Sequence, residues 1–454
     1  MKTIITLLLI VTYLSIFAQS KRLGTETGEQ KVKRMEQWTH DRFGMFIHFG
    51  LYSAAARHEW VKKFEKISTE DYQKYFDVFN PDLLNPKEWA QKAKDAGMKY
   101  AVITTKHHDG FCLFDSKYTD YKSTKTAYGR DIVKEFIDAF RAQGISVGFY
   151  YSLIDWHHPD FTIDKNHPQS PADQTKYAEL NKDRDMNKYR AYLHNQVREL
   201  MTNYGKIDIL WLDFSYPGEN GKGSKDWDSE NLIKMARKLQ PDILIDDRAD
   251  LKDYVDGWDF TTPEQFKVAK WPEENGKRVP WETCQTFSGS WGYSRDENTW
   301  KDTKQLLTLL IETVSKGGNL ILNVGPTARG LFDYRAEAAL KSMGEWMKYN
   351  GRSIYGCTEA PSEFKVPERS LLTYNPLTKR LYVHLVDYPL QNFTLPNSKG
   401  KVKYAQFLYD GSEVQFAKPH GAWMKEDVDA DDLNLSLPVK KPNVEIPVIE
   451  LILK

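Results

Sequence analysis

Cysteine is scarce in this chain: Cys112, Cys284 and Cys357 are the only three in 454 residues. An odd number cannot pair completely, and these spacings match no zinc-ligand pattern. Neither a disulfide framework nor a structural zinc is expected, and the three read as small buried hydrophobes. An excess of one charge is also missing. Lys plus Arg and Asp plus Glu both number 63, which removes the electrostatic case for nucleic acid or an acidic membrane as partner. No repeat or low-complexity tract occurs. No G-x-G-x-x-G follows the first predicted strand, so a dinucleotide site has no support.

Long apolar runs are confined to the N-terminus. Residues 1–18 carry Lys2, then ITLLLIVTYLSIF, then Ala18. This order of basic start, apolar core and small residue predicts an export signal cut near Ala18–Gln19, placing the chain in the periplasm or outside the cell. The run is short for a membrane anchor, with Lys21 and Arg22 close behind, and no Cys follows it to carry a bacterial lipid. No other segment has the length and apolarity to span a bilayer.

What the chain does have is alternation. Eight candidate strands occur at 43–50, 100–108, 145–153, 206–214, 242–248, 259–265, 281–287 and 319–326. Helical patterns fall at 86–96, 131–143, 186–203, 229–239 and 302–316, with another around 334–349. Gly97 and Gly144 are placed to end the first two helices. Short apolar strands alternating with helices predict a parallel sheet, and eight of them an α/β, (β/α)8-like barrel over 19–349. The stretch 249–300 lacks a clear helix and is expected to be an irregular side. Over 350–454 the pattern changes to β segments separated by turn residues, which predicts a small all-β domain, an antiparallel sandwich. Two N-x-S/T sequons, at Asn392 and Asn434, matter only in a host that glycosylates.

Several predicted strands end in polar residues: His48 in FIHFG, His107 and His108 in TTKHHDGF, Asp213 in LWLDF, Asp246, Asp247 and Arg248 in ILIDDR, and Glu264 in FTTPEQ. Polar groups at the C-terminal ends of parallel strands are how such a barrel builds a site. Asp213 follows an apolar run, where an acid is costly to bury, so it is expected at the edge of a pocket. Aromatics make up 13% of the chain, and Trp and Tyr faces stack on pyranose rings. Carboxylates, histidines, an arginine and aromatics together suit a sugar.

The blocks FGMFIHFGLYS, HEW (58–60), KHHDGFCLFDSKYTDY, FYYSLIDW, LWLDF and SKGGNLILNVGP, in this order, resemble the α-L-fucosidases of glycoside hydrolase family 29 from about residue 35 to 356. The resemblance implies a barrel with a C-terminal β-sandwich, retention of anomeric configuration, a fucosylated glycan as substrate, and no metal or cofactor. It assigns Asp213 as nucleophile. Glu264, in WDFTTPEQ, is the acid/base it favours; Glu282, in WETC, is the rival, and Glu59 a third candidate that could instead bind sugar hydroxyls. A retaining enzyme needs these two carboxyl groups ~5–5.5 Å apart. His48, His107 and His108 are assigned to fucose hydroxyls. A metal pair at 107–108 is disfavoured because neighbours on a strand face opposite ways. Arg248 is expected beside the nucleophile, or else paired with Asp246 and Asp247. Trp60, Tyr151, Trp211 and Trp291 are expected pocket walls. The chain departs from the family at Phe49, Val61, Phe114 and Phe214; the last stands where Gly is common. Loops 155–185 and 215–228 are expected to set leaving-group choice. The alternatives are an enzyme of this fold acting on a related sugar such as a galactoside, and a fucose-binding protein without turnover. Oligomeric state and the role of the C-terminal domain are not readable.

Overall fold

The structure is a computed structural model describing residues 21–417 and 431–454. The predicted export segment, residues 1–18, lies outside the described residues.

Seven parallel strands form one curled sheet in the order β5-β4-β3-β2-β1-β9-β8. They are β1 (Phe43–Ile47), β2 (Tyr100–Lys106), β3 (Ser146–Ser152), β4 (Ile209–Asp213), β5 (Leu244–Ile245), β8 (Glu282–Thr286) and β9 (Asn319–Val324). The strand predicted at 259–265 is not a regular strand. It fills the place between β5 and β8 through isolated parallel bridges, Asp246 to Phe260, Thr261 to Trp281 and Glu264 to Cys284. Pro263 has no N–H to give to a ladder, and Gln265 sits at φ 56°, so the ladder breaks there. The ring of eight positions is complete, with seven true strands. Between β5 and β8 there is no helix, only a short hairpin of β6 (Glu273–Glu274) and β7 (Lys277–Arg278).

The predicted helices form at Pro86–Asp95, Ile132–Ala142, Met186–Asn203, Ser229–Leu239, Thr303–Val314 and Tyr334–Asn350. Side-chain caps start all but Ser229–Leu239: among them, Asn85 accepts from the N–H of Glu88 with Pro86 at the first helical position, Asp131 from Lys134, and Asp302 from Gln305 in a capping box. Gly97 (φ 87°) and Gly144 (φ 73°) end the first two, as the pattern predicted.

Strand alternation divides the core in two. Outward residues such as Met45, Ile47, Phe149, Tyr151, Leu210 and Leu212 pack against the helices. Inward residues Phe46, Tyr100, Val102, Tyr150, Ile209, Trp211, Cys284 and Ile321 fill the barrel. Trp38, from the helix Gly28–Asp41, joins this inner cluster, its ring tilted against Phe260 with centres 4.8 Å apart.

After Asn350 the chain forms an antiparallel sheet, β10-β11-β15-β13, from Leu371–Asn375, Arg380–His384, Val448–Leu453 and Val402–Phe407. A second antiparallel pair, β12 (Asn392–Leu395) and β14 (Leu433–Ser436), shares a core with it that includes Leu381, Leu395, Phe407, Leu435 and Leu451. Trp346 Nε1 donates to the Ile446 carbonyl at 2.8 Å, tying the last barrel helix to this domain.

Candidate active site

The C-terminal ends of the barrel strands surround a small pocket of about 60 Å³. Its walls are Phe46, His48, Trp60, His107, His108, Tyr150, Trp211, Asp213, Phe214, Arg248, Glu264, Cys284 and Trp291. Most side chains predicted for the site therefore meet in one place, contributed by segments up to 243 residues apart in the chain.

Asp213 ends β4, and both its carboxylate oxygens are held. Tyr150 Oη donates to Oδ2 at 2.6 Å and Arg248 Nη1 to Oδ1 at 2.8 Å. Arg248 is the organising cation. Its other terminal nitrogen pairs with Glu264 Oε2 at 2.8 Å, its Nε donates to Thr262 Oγ1 at 2.9 Å, and its guanidinium lies 4.5 Å from the centre of the Trp211 ring. One planar fork thus spans both carboxylates, a geometry Lys could not supply. Arg248 does not pair with its neighbours in sequence. Asp246 accepts the Leu212 N–H at 3.0 Å, and Asp247 accepts the Thr261 and Thr262 hydroxyls. Burial, and then the Asp247 charge, push the Asp246 carboxyl well above the usual carboxylate range.

The histidines are neutral donors and acceptors here. Burial lowers His48 to about 3 and pushes His107 and His108 well below the usual imidazole range. His48 Nδ1 lies 2.6 Å from Asn323 Oδ1, an atom that only accepts, so Nδ1 carries the proton and Nε2 is left as an acceptor. His108 Nδ1 lies 2.7 Å from Ser152 Oγ, whose proton goes to the Ile154 carbonyl, so the same tautomer holds there. His107 Nδ1 is buried with no protein partner. β2 ends at Lys106, which lets both following rings turn into the pocket with their centres 4.1 Å apart. Among the described residues no group of three or more His, Cys, Asp or Glu is arranged to hold a metal ion.

Three predicted residues do not line the pocket. Tyr151 points outward: its hydroxyl donates to Gln196 Oε1 at 2.8 Å and its ring lies under Lys106 Nζ. The inward residue is Tyr150, which pairs in register with Trp211 on β4. Glu282 is fully buried deeper in the barrel, taking hydrogen bonds from Tyr100 Oη at 2.5 Å and Trp211 Nε1 at 3.1 Å. Burial raises it to about 7. Glu59 is buried as well. Its Oε2 accepts the backbone N–H of Trp291 (3.2 Å) and Gly292 (2.9 Å), and burial raises it to about 7. Glu264 alone of the three candidate acids is on the pocket wall, with 40% of its side chain exposed.

The sequence reading missed Tyr150 and Asn323. Strand alternation counted from Asp213 through the β3–β4 register points to Tyr150. Asn323, polar in the otherwise apolar run of β9, holds both His48 and, through Nδ2, the Trp291 carbonyl at 2.7 Å. Phe214 explains one departure from the family pattern: it lies at φ 87°, a conformation natural to glycine.

A second, open cleft of about 760 Å³ adjoins the pocket, sharing Asp213, Phe214 and Arg248 with it. Its walls come from 213–216, 247–252 and 261–272, with Asn166 as the sole contribution of loop 155–185. The irregular segment 261–272, rather than that loop, shapes the space beside the pocket.

A family model described as α-L-fucosidase matches residues 12–352. The chain is 46% identical to the solved α-L-fucosidase isoenzyme 1 from Paenibacillus thiaminolyticus, covering 93% of this chain and 99% of that one at a TM-score of 0.86. It is 28% identical to a family 29 α-L-fucosidase from Bacteroides thetaiotaomicron, solved as a trapped covalent intermediate with 2-fluoro-fucosyl fluoride (96% and 98% covered, TM-score 0.76). Human plasma α-L-fucosidase is 30% identical over 345 residues, 69% of this chain and 68% of the relative. The chain belongs to the α-L-fucosidase family, glycoside hydrolase family 29.

Proposed function

We propose that this chain is an exo-acting α-L-fucosidase that removes terminal α-L-fucose from glycans or glycoconjugates with retention, by double displacement. The observation that carries this reading is the Asp213 carboxylate, fixed by Tyr150 and Arg248 at the floor of an aromatic pocket, with Glu264 on the same guanidinium. Asp213 attacks C1 while Glu264 gives its proton to the departing oxygen. Water then attacks C1 of the fucosyl ester, Glu264 takes its proton, and Asp213 leaves. His48, His107 and His108 offer neutral ring nitrogens to the sugar hydroxyls. Two carboxyl groups supply all the proton and nucleophile chemistry, so activity is expected to survive exhaustive chelation.

The aromatic walls favour a methyl over a hydroxymethyl group, because a hydroxyl left unpaired there costs about 1–3 kcal/mol. The test is turnover of 4-nitrophenyl α-L-fucoside against the α-L-galactoside, which differs by the 6-hydroxyl alone. Release from the fucoside at least tenfold faster is expected. Equal rates would indicate a broader galactoside enzyme, and binding without release a non-catalytic protein. We further propose export, on the pattern of residues 1–18. A secreted or periplasmic chain beginning near Gln19 is expected on expression of the full sequence, and a cytoplasmic chain retaining Met1 would refute it.

A further inference from the structure

Phe214 is the residue whose placement the chemistry above leaves unused. It follows Asp213 directly and holds φ 87°, where a Cβ-bearing residue is strained. Such strain persists only where surrounding contacts impose it. Here they do: the Phe214 ring lies 5.2 Å from Trp60, 4.9 Å from His108 and 5.1 Å from Tyr216, centre to centre. It is also one of three residues, with Asp213 and Arg248, that line both the small pocket and the larger cleft. Of these three it alone has an apolar ring. The cleft continues from Phe214 past Tyr216 to Phe266, a residue 59% exposed.

We propose that Phe214 is a specificity-determining wall between the sugar pocket and the cleft, selecting leaving groups that present a flat or apolar face. This rests on the fucosidase reading above and names the substrate class for it. A leaving group departs from the face of C1 opposite Asp213, on the side of Glu264, and must pass from the pocket into the cleft whose wall includes Thr262, Pro263 and Phe266 around that acid; Phe214 is the aromatic ring the two spaces share. A pyranose ring offers its C–H face to an aromatic ring, and an aryl group offers a π face. The cleft, more than ten times the volume of the pocket, has room for such a group and for a further sugar. The preferred substrates are therefore fucosides of saccharides, with the acceptor ring against Phe214.

The test compares leaving groups on Phe214→Gly, Phe214→Tyr and the unaltered chain. Glycine suits the backbone at this position and tyrosine keeps the ring, so neither variant imposes a new backbone demand; a thermal midpoint for each separates loss of fold from loss of recognition. The substrates are 4-nitrophenyl α-L-fucoside, a fucosyl-galactose disaccharide, and α-L-fucosyl fluoride, whose leaving group is too small to cover an aromatic ring. In Phe214→Gly, kcat/KM for the two ringed substrates is expected to fall about tenfold relative to the fluoride, and Phe214→Tyr to restore the ratio. An unchanged ratio in Phe214→Gly, or a loss that tyrosine does not restore, overturns the proposal. If the unaltered chain releases fucose from none of the three, the fucosidase reading itself fails, and that outcome is distinct from an unchanged ratio.

Discussion

Glu282→Gln tests the division of labour among the buried acids. Glu282 is wholly enclosed between Tyr100 and Trp211, and burial raises its carboxyl from 4.5 to about 7. A change of that size corresponds to about 3 kcal/mol. Its sign follows from linkage: the group binds its proton more tightly folded than unfolded. Its stabilising contribution is complete below pH 4.5 and is lost as pH rises through about 7. Glutamine keeps the shape. Its oxygen can accept from Trp211 Nε1 and its NH2 can donate to Tyr100 Oη, which then turns toward the Leu320 carbonyl 3.5 Å away. Subtracting the unfolding free energy of the variant from that of the unaltered chain cancels every other titrating group. That difference should fall by about 3 kcal/mol between pH 4.5 and 8.5. Denaturant unfolding across this range measures it. Turnover of 4-nitrophenyl α-L-fucoside by Glu282→Gln should stay within about tenfold, whereas loss of a true acid/base costs roughly 10²–10⁴. A stability difference that ignores pH would refute the buried-acid argument. A folded variant with collapsed turnover would move the acid/base role to Glu282.

Further outcomes follow from the same geometry. Tyr150→Phe removes the 2.6 Å hydrogen bond to Asp213 and should lower kcat/KM by about ten- to a hundredfold, while Tyr151→Phe, facing helix Met186–Asn203, should change it less than about threefold; steady-state kinetics of the pair compares inward with outward parity. Glu264→Ala should slow substrates with poor leaving groups by about 10²-fold or more and activated aryl fucosides far less, read as the ratio of kcat/KM across a leaving-group series. Asn323→Ala frees His48 Nδ1 and the Trp291 carbonyl together, and should raise KM for the fucoside by about tenfold with a smaller change in thermal midpoint.

Much of this architecture is legible in the chain because local physics writes it there. Short apolar runs marked all seven true strands, and 3.6-residue spacing, with Gly97 and Gly144 at the ends of the first two, marked the helices. The sixth strand failed because a short-range pattern carries no weight for Pro263 or for the left-handed turn at Gln265. Asp213, Arg248 and Glu264 were readable as strand-end polar residues. That one guanidinium would join Asp213 to Glu264 was not, since Asp246 and Asp247 are nearer in sequence, and only the barrel's curvature decides between them. Tyr150 and Tyr151 are chemically equivalent as letters; register with Trp211 separates them. The rank of the three acids also depended on depth in the barrel, which no local pattern encodes: Glu282 sits beneath Trp211, and Glu59 holds the backbone at Trp291 and Gly292.

The central claim is that Asp213 forms the covalent bond to fucose. The direct measurement is turnover of 4-nitrophenyl α-L-fucoside by Asp213→Gly, with and without azide, followed by identification of the product. The account predicts a loss of about 10³-fold or more without azide, and with it recovery of rate and formation of β-L-fucosyl azide, of inverted configuration. Turnover near that of the unaltered chain, or an azide product of α configuration, would contradict it.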